Sequence, residues 1–154
     1  MRARSSWVWV ALVCAALGTS TSDADAKRRP RVVWTDVSIR PERPDVPPVV
    51  KKILEKEGRR ADWGRRREQP VEAKVEIREL SAVRDGDVVR VTCTAVGKIP
   101  GLGAAKSRFT YSGRPEEQRK LEHRVLELVA RGIVTRLADI ARAHDPGWRV
   151  GSAP

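Results

Sequence analysis

The chain has 154 residues, of which 31 are Lys or Arg and 20 are Asp or Glu, so its formal net charge is +11. Charged residues make up 33% of the sequence, which excludes a multi-span membrane protein, and hydrophobic residues make up 40%, which excludes a wholly disordered chain. The length fits a single domain and excludes a multidomain enzyme. Two cysteines are too few for a small disulfide-stabilised domain.

The first 26 residues have the three parts of a secretory signal peptide. Arg2 and Arg4 form a basic start, Trp7–Gly18 is uncharged and mostly apolar, and Ala24-Asp25-Ala26 fits the cleavage pattern. The apolar run is shorter than the roughly 20 residues that span a bilayer, and a buried N-terminal helix is the alternative. The sequence therefore predicts export, to the periplasm or the medium, with cleavage near Ala26.

Lipid attachment at Cys14 is not expected, because Val13 is a poor residue to precede a lipidated cysteine. Removal of residues 1–26 takes away two Arg and two Asp, so the mature chain keeps a net charge of +11. It also keeps Cys93 as its one cysteine, and without an internal disulfide the fold depends on its core. Residues 27–144 are predicted to form one domain, and residues 145–154 a flexible tail.

A strand and a short helix open the predicted domain. Residues 32–39 alternate in a way typical of a strand. Its predicted apolar face consists of Val33, Thr35, Val37 and Ile39. A helix is predicted over residues 46–57, with Asp45 as its N-cap and Pro47 and Pro48 in its first turn. Gly58 follows in the position of a left-handed C-terminal cap.

A β-hairpin is the clearest pattern in the sequence. Apolar side chains occupy every second position over residues 71–77 and again over 89–95. Asp85-Gly86 lies between these runs and is a preferred pair for a two-residue turn. The apolar positions of the first run change parity after Ile77, so we predict a β-bulge at Arg78-Glu79. The bulge is predicted to place Cys93 opposite Ile77.

The domain is predicted to end with one more strand and a long helix. Residues 98–104 form a Pro/Gly loop, and residues 105–112 alternate as in a strand. Pro115 then begins a helix of period 3.6 that runs to about Ala143. Gly132 lies beside its apolar stripe, which indicates a close approach between helix and sheet. The order β-α-β-β-β-α predicts a two-layer α+β fold. One mostly antiparallel, four-stranded sheet carries both helices on one face and leaves the other face open.

The sequence does not support several hypotheses of a catalytic or metal-binding site. The Gly-rich segment before Lys106 leads into a strand and has Ala105 where a phosphate-binding loop needs Gly. His123 and His144 are predicted on the surface, without the spacing of a zinc site. Cys93 is predicted to be a buried small hydrophobe. Glu72, Glu76 and Glu79 have basic neighbours and do not form the acid–base pair of a hydrolase.

The densest charge lies between the first helix and the hairpin. Arg59 to Arg67 contains five arginines and a tryptophan, a combination that suits phosphate groups and membrane interfaces. The candidate anion-binding residues are Arg59, Arg60, Trp63, Arg65, Arg66 and Arg67. The alternative is a solvated basic loop in an arginine-rich protein.

The element order over residues 31–143 resembles that of small bacterial envelope domains. Val88–Gly97, Ser107–Gly113 and Leu121–Ala141 are similar to the β-β-α ending of the periplasmic domains of outer-membrane accessory lipoproteins. Penicillin-binding-protein activators and the curli secretion lipoprotein belong to this group. The resemblance implies an accessory domain of the envelope, although the lipid-modified cysteine usual in the group is missing.

Three functional hypotheses follow. The first is an exported, non-enzymatic envelope protein that binds or scaffolds a protein partner through the open sheet face, at Glu72, Lys74, Arg90 and Arg108. The second is a binder of anionic envelope polymers or lipid phosphates that uses Arg59–Arg67. The third is an enzyme whose site the sequence does not reveal. No cofactor, metal or transmembrane span is predicted for the mature chain, and nucleic acid is not an expected partner of an exported protein. The oligomeric state is left open.

Overall fold

The computed structural model describes residues 31–40, 43–64 and 70–144. In chain order these form β1 (Val32–Ile39), α1 (Val46–Arg60), β2 (Val71–Asp85), β3 (Val88–Ile99), β4 (Gly103–Gly113) and α2 (Gln118–Ala143), with a 3-10 turn at Pro115–Glu117. The predicted signal peptide, including Cys14, and the predicted tail of residues 145–154 lie outside the described residues.

The strands form one sheet in the order β1-β2-β3-β4. β1 and β2 run parallel on either side of α1 in the sequence, whereas β2, β3 and β4 form an antiparallel meander. α1 packs on β1 and on α2, and α2 packs on β3 and β4, so one helical layer covers one face of the sheet. The predicted α+β architecture is therefore confirmed.

β1 contains an irregularity that changes which residues face the core. Its pairing with β2 passes from Trp34↔Ala73 to Asp36↔Lys74, so Thr35 is an extra residue in the ladder. Trp34 is buried, whereas Val33 and Thr35 are exposed. The predicted apolar face was wrong at those two positions, because a one-residue bulge moves every side chain before it to the opposite face. Beyond the bulge, Val37 and Ile39 pack against the core as predicted.

The two ends of α1 also differ from the prediction. Proline occupies the first turn, but Asp45 makes no side-chain capping bond. Its carboxylate instead accepts a hydrogen bond from Arg43 at 3.1 Å, and this contact holds the pKa of the Asp45 carboxyl below its ordinary value. Gly58 is not a left-handed cap, because the helix continues to Arg60. A Cβ at Gly58 would lie 3.3 Å from the Trp34 ring, so this glycine allows the ring to approach α1 closely.

The β2–β3 hairpin has the predicted bulge and a different turn. Asp85 pairs with Val88, so Gly86 and Asp87 form the turn rather than Asp85 and Gly86. Gly86 has φ 59, as expected for glycine at the first central position of a II′ turn. The register skips Arg78, which confirms the bulge, but Cys93 pairs with Leu80 and not with Ile77. The register is displaced by two residues relative to the predicted one, so the faces of β3 are unchanged.

The β3–β4 connection is a short turn, and α2 lies close to both strands. Pro100–Leu102 link the strands, which confirms that the Gly-rich segment is a hairpin connection. A Cβ at Gly97 would lie 2.6 Å from Cγ2 of Ile133. A Cβ at Gly132 would lie 2.6 Å from Oγ of Ser107, which supports the predicted close approach of helix and sheet.

Candidate partner-binding surface

The side of the sheet opposite the helices, which we call the open face, carries all four residues predicted to contact a partner. Glu72 and Lys74 alternate with the buried side chains of β2, and Arg90 and Arg108 do so on β3 and β4. All four side chains are exposed. Strand alternation therefore places them on one surface, spread over three adjacent strands.

Charge is divided across this open face. Its carboxylates belong to β1 and β2 and are those of Asp36, Glu72, Glu76, Glu79 and Asp85. Residues 88–114, which include β3 and β4, contain five Lys or Arg and no Asp or Glu. Four of these cations lie on β3 and β4 themselves: Arg90, Lys98, Lys106 and Arg108. One half of the surface is mixed but rich in acids, and the other half is purely basic.

Among the described residues of the open face, Glu76 is the carboxylate that forms ion pairs, whereas Asp36 and Glu72 form none. Glu76 binds Arg40 at 3.0 Å and Arg78 at 3.4 Å. By contrast, none of the four cations of β3 and β4 forms an ion pair with a carboxylate among the residues that the structure describes. The basic half therefore presents charges that are available to an anionic group of a partner.

Hydroxyl groups order the centre of the open face. The hydroxyls of Thr92 and Thr110 lie 3.0 Å apart, within hydrogen-bond distance. Thr94 donates to one oxygen of Glu79 at 3.0 Å, and Ser81 lies 3.5 Å from the other. Thr92 and Thr94 are only 9% and 6% exposed, although neither α1 nor α2 covers this face. The hydroxyl network therefore gives the face a fixed central strip between its two charged halves.

The predicted anion-binding cluster is only partly described, and the structure corrects it at one residue. Trp63 is 2% exposed, and its Nε1 donates to the Gly58 carbonyl at 2.8 Å, so it cannot stack on a ligand. Arg60 lies 3.5 Å from Glu57, and Nε of Arg59 donates to the Glu55 carbonyl. Arg65, Arg66 and Arg67 lie outside the described residues. Anion binding by the remaining arginines stays a prediction.

Reactive side chains occupy the positions that the sequence indicated. Cys93 is fully buried, and burial raises the pKa of its thiol to about 12, with a further contribution from the Glu79 carboxylate. His123 is exposed and lies 3.9 Å from Glu127. His144 is also exposed, and its Nδ1 lies 2.9 Å from the Ile140 carbonyl. Over residues 31–40, 43–64 and 70–144, no group of three or more His, Cys, Asp or Glu could hold a metal ion.

Two aromatic side chains of β4 form a surface feature that the alternation pattern did not predict. Phe109 and Tyr111 lie on the helix side of the sheet but are 41% and 42% exposed. The guanidinium of Arg124 lies 5.9 Å from the centre of the Tyr111 ring. Alternation alone assigns these aromatics to the core. Ala105 and Ser107, in the same row of this edge strand, are buried, so the exposure is confined to the end of the row that carries the two aromatic rings.

No family model matches the chain, and no curated protein matches it significantly. Solved structures similar to it include a minor lipoprotein from Acinetobacter baumannii, at 13% identity and a TM-score of 0.44, covering 69% of this chain and 94% of that one. A dodecameric PelC variant from Paraburkholderia phytofirmans is 16% identical with a TM-score of 0.42, covering 70% and 88%. A protein described as a lipoprotein from Caulobacter crescentus CB15 is 10% identical with a TM-score of 0.40, covering 71% and 92%. At these scores the likeness assigns neither a family nor a function to the chain.

A helix that crosses a membrane must be both long and apolar. Neither α1 nor α2, the two helices of the described part of the chain, meets both requirements.

Proposed function

We propose that this protein is an exported, non-catalytic module of the bacterial envelope that binds a partner protein through the open face. Export is supported by the sequence of residues 1–26, with Arg2 and Arg4, the apolar run Trp7–Gly18 and the cleavage pattern ending at Ala26. The intact mass of the protein from fractionated native cells tests this part. A species that begins at Lys27 in the periplasm or the medium supports export, and an uncleaved cytoplasmic species contradicts it.

The observation that carries the binding proposal is the charge division of the open face. A partner with the opposite division would match both halves at once, which fixes its orientation as well as its affinity. Arg90 and Arg108 need no displacement from an internal ion pair before they bind, because they have none within the described residues. The ordered strip of Thr92, Thr94 and Glu79 between the halves limits the conformational entropy that binding would cost.

The placement of the reactive groups supports binding rather than catalysis. The Cys93 thiol is buried and its pKa is raised to about 12, so at neutral pH it is neither accessible nor ionised. His123 and His144 are separated by roughly 30 Å along α2, at about 1.5 Å per residue, and neither faces the open side of the sheet. The groups most often used as nucleophile and base are therefore not brought together.

Site-specific photocrosslinking tests the proposal directly. A photoreactive residue placed at Arg90 or Arg108 is expected to crosslink one defined protein in native cells, whereas the same residue at Lys51 on the outer side of α1 is not. With that protein purified, Arg108→Glu and Glu72→Lys should each weaken binding. Exposed ion pairs contribute about 0.2–1 kcal/mol each, so a charge reversal should cost several-fold in Kd. Crosslinks that are equally strong from Lys51 would contradict a specific open-face interaction.

A further inference from the structure

β4 is the outermost strand of the sheet on the side away from β1. It pairs with β3 from Val89↔Gly113 to Ile99↔Gly103, and no other strand of the described part of the chain lies along its second side. A strand edge of this kind presents backbone N–H and C=O groups that another strand can pair with. The 11 residues of β4 are enough for pairing over several residues.

The side chains of β4 form two rows of different chemistry. Lys106 and Arg108 share the open face with Thr110, whose hydroxyl lies 3.0 Å from that of Thr92. Phe109 and Tyr111 point to the helix side, where a Cβ at Gly132 would lie 3.8 Å from the Phe109 ring. One side of the strand is therefore basic, and the other carries two aromatic rings that are about two-fifths exposed, next to the buried Ala105 and Ser107.

Arginines from α2 extend the basic character to the helix side. Arg124 lies over the Tyr111 ring, 5.9 Å from its centre, in a cation–π arrangement. Arg136 donates a hydrogen bond to the backbone carbonyl of Lys106. This carbonyl therefore already has a partner, which a fifth strand would have to displace in order to pair there. Neither arginine forms an ion pair with a carboxylate of residues 31–40, 43–64 or 70–144.

We propose that β4 binds an extended segment of a partner protein as a fifth strand, and that acidic and apolar residues alternate in this segment. Directly opposed residues on neighbouring strands have Cβ atoms about 4.5–5.5 Å apart. The acidic side chains of the segment would then lie beside Lys106 and Arg108, and the apolar ones beside Phe109 and Tyr111. Backbone pairing supplies affinity and the side-chain rows supply specificity. This inference shares Arg108 with the open-face proposal but rests on the unpaired backbone edge of β4, so strand pairing can fail or succeed independently of binding to the open face.

Charge complementarity distinguishes this partner from a second copy of the chain. Antiparallel pairing of two β4 strands would bring Lys106 and Arg108 close to the same cations of the other copy, and like charges on adjacent strands are destabilising. β4 contains no Asp or Glu that could offset them. The two cations therefore oppose self-pairing at an exposed edge and at the same time attract an acidic strand.

Calorimetric titration with short peptides tests the proposal. The probe is a capped ten-residue peptide in which Glu alternates with Val, and the control peptide has Lys in place of Glu. We expect saturable binding of the Glu peptide alone. Lys106→Glu combined with Arg108→Glu should weaken it by about tenfold or more, and Tyr111→Thr should also weaken it. Lys51→Glu combined with Lys52→Glu makes the same change in net charge on α1 and should leave the affinity within about twofold.

Strand pairing is separated from simple charge attraction by two N-methylated versions of the Glu peptide, one methylated at every Glu and one at every Val. Because alternate N–H groups of a strand point to opposite sides, only one version loses its pairing with β4. One should lose about tenfold or more in affinity while the other binds normally. Equal effects in both versions, no binding of the Glu peptide, or equal weakening by the α1 control variant would overturn the proposal. So would a dimer in sedimentation experiments that Tyr111→Thr dissociates, since β4 would then be occupied by a second copy.

Discussion

The indole of Trp63 packs edge-on against Trp34, with ring centroids 6.2 Å apart and ring planes inclined by 70°. Nε1 of Trp63 donates a hydrogen bond to the Gly58 carbonyl at the end of α1, which fastens the chain after the helix to the helix itself. The Trp34 ring occupies the space beside Gly58 that a larger residue would restrict. These three residues thus join β1, α1 and the start of the following connection in one packing unit.

Truncation of Trp63 should destabilise the fold strongly. Trp63→Ala removes a large buried side chain and leaves the Gly58 carbonyl without its donor, so the free energy of unfolding should fall by about 3–5 kcal/mol. Trp63→Phe keeps the ring but not the donor and should cost less. Urea denaturation followed by circular dichroism measures both. Arg59→Ala, four residues earlier on an exposed position, should change stability by no more than about 0.5 kcal/mol. If Trp63→Ala lowers the free energy of unfolding no more than Arg59→Ala does, Trp63 does not hold this region together.

A methyl group added at Gly97 should disturb the contact between β3 and α2. A Cβ there would lie 2.6 Å from Cγ2 of Ile133 and 2.9 Å from Cδ1 of Leu137, and both side chains are fully buried. Overpacking of this kind costs about 1–3 kcal/mol, so Gly97→Ala should lower the free energy of unfolding by that amount. Ile133→Ala leaves a cavity beside Gly97. In the double variant Gly97→Ala, Ile133→Ala the new methyl group fills part of that cavity. The double variant should therefore lose less unfolding free energy than the two single variants lose together. Strict additivity in denaturation experiments would rule out this contact.

Residues with uninterrupted alternation could be predicted from the sequence, and residues near a change of register could not. Val71, Ala73, Val75 and Ile77 are all buried as expected. The bulge at Arg78 could also be predicted, because apolar positions change parity on either side of it. The corresponding bulge at Thr35 was missed, because Val33 and Thr35 continue an alternation that suits a regular strand. Only the pairing with β2 reveals that Trp34 is the buried residue.

The candidate surfaces show a similar division. The absence of Asp and Glu from residues 88–114 is visible in the sequence, and strand alternation places Arg90 and Arg108 on one face. The sequence shows neither that β4 is an edge strand nor that Phe109 and Tyr111 are partly exposed while Ala105 and Ser107 in the same row are buried. The burial of Trp63 was hidden for another reason, since it lies in an arginine-rich segment and its contacts with Trp34 of β1 and Gly58 of α1 appear only in the folded chain.

The buried Cys93 thiol should make the free energy of unfolding fall as the pH rises above about 9. Its pKa is raised from 9.0 to about 12 by burial and then by Glu79, so between these values the unfolded chain loses a proton that the folded chain keeps. The stabilising contribution is fully present below about pH 9 and is lost as the pH rises toward 12, with a slope of at most about 1.4 kcal/mol per pH unit. The difference in unfolding free energy between wild type and Cys93→Ala, measured from pH 8 to about pH 11, should therefore shrink as the pH rises. Contributions from other side chains cancel in this difference, and a pH-independent difference would show that the thiol ionises equally in both states.

Binding to anionic lipid by the arginine cluster should depend on Arg65, Arg66 and Arg67 and not on Trp63. Guanidinium groups pair with phosphates through charge, so affinity for phosphatidylglycerol vesicles should fall steeply as NaCl is raised from about 0.05 to 0.5 M. Replacement of all three arginines by Ser should abolish most of this binding, whereas Arg59→Ser and Arg60→Ser should have smaller effects, since Arg60 already lies 3.5 Å from Glu57.

Trp63→Phe should leave vesicle affinity unchanged, because the indole is 2% exposed and bound to Gly58. Co-sedimentation with vesicles measures the affinity of the wild type and of all four variants. A loss in Trp63→Phe that equals that of the arginine variant, with its fold intact, would mean that the indole leaves the core to enter the membrane interface. Binding that is insensitive to salt would end the anion-binding hypothesis, because no electrostatic contact of an exposed arginine survives such screening unchanged.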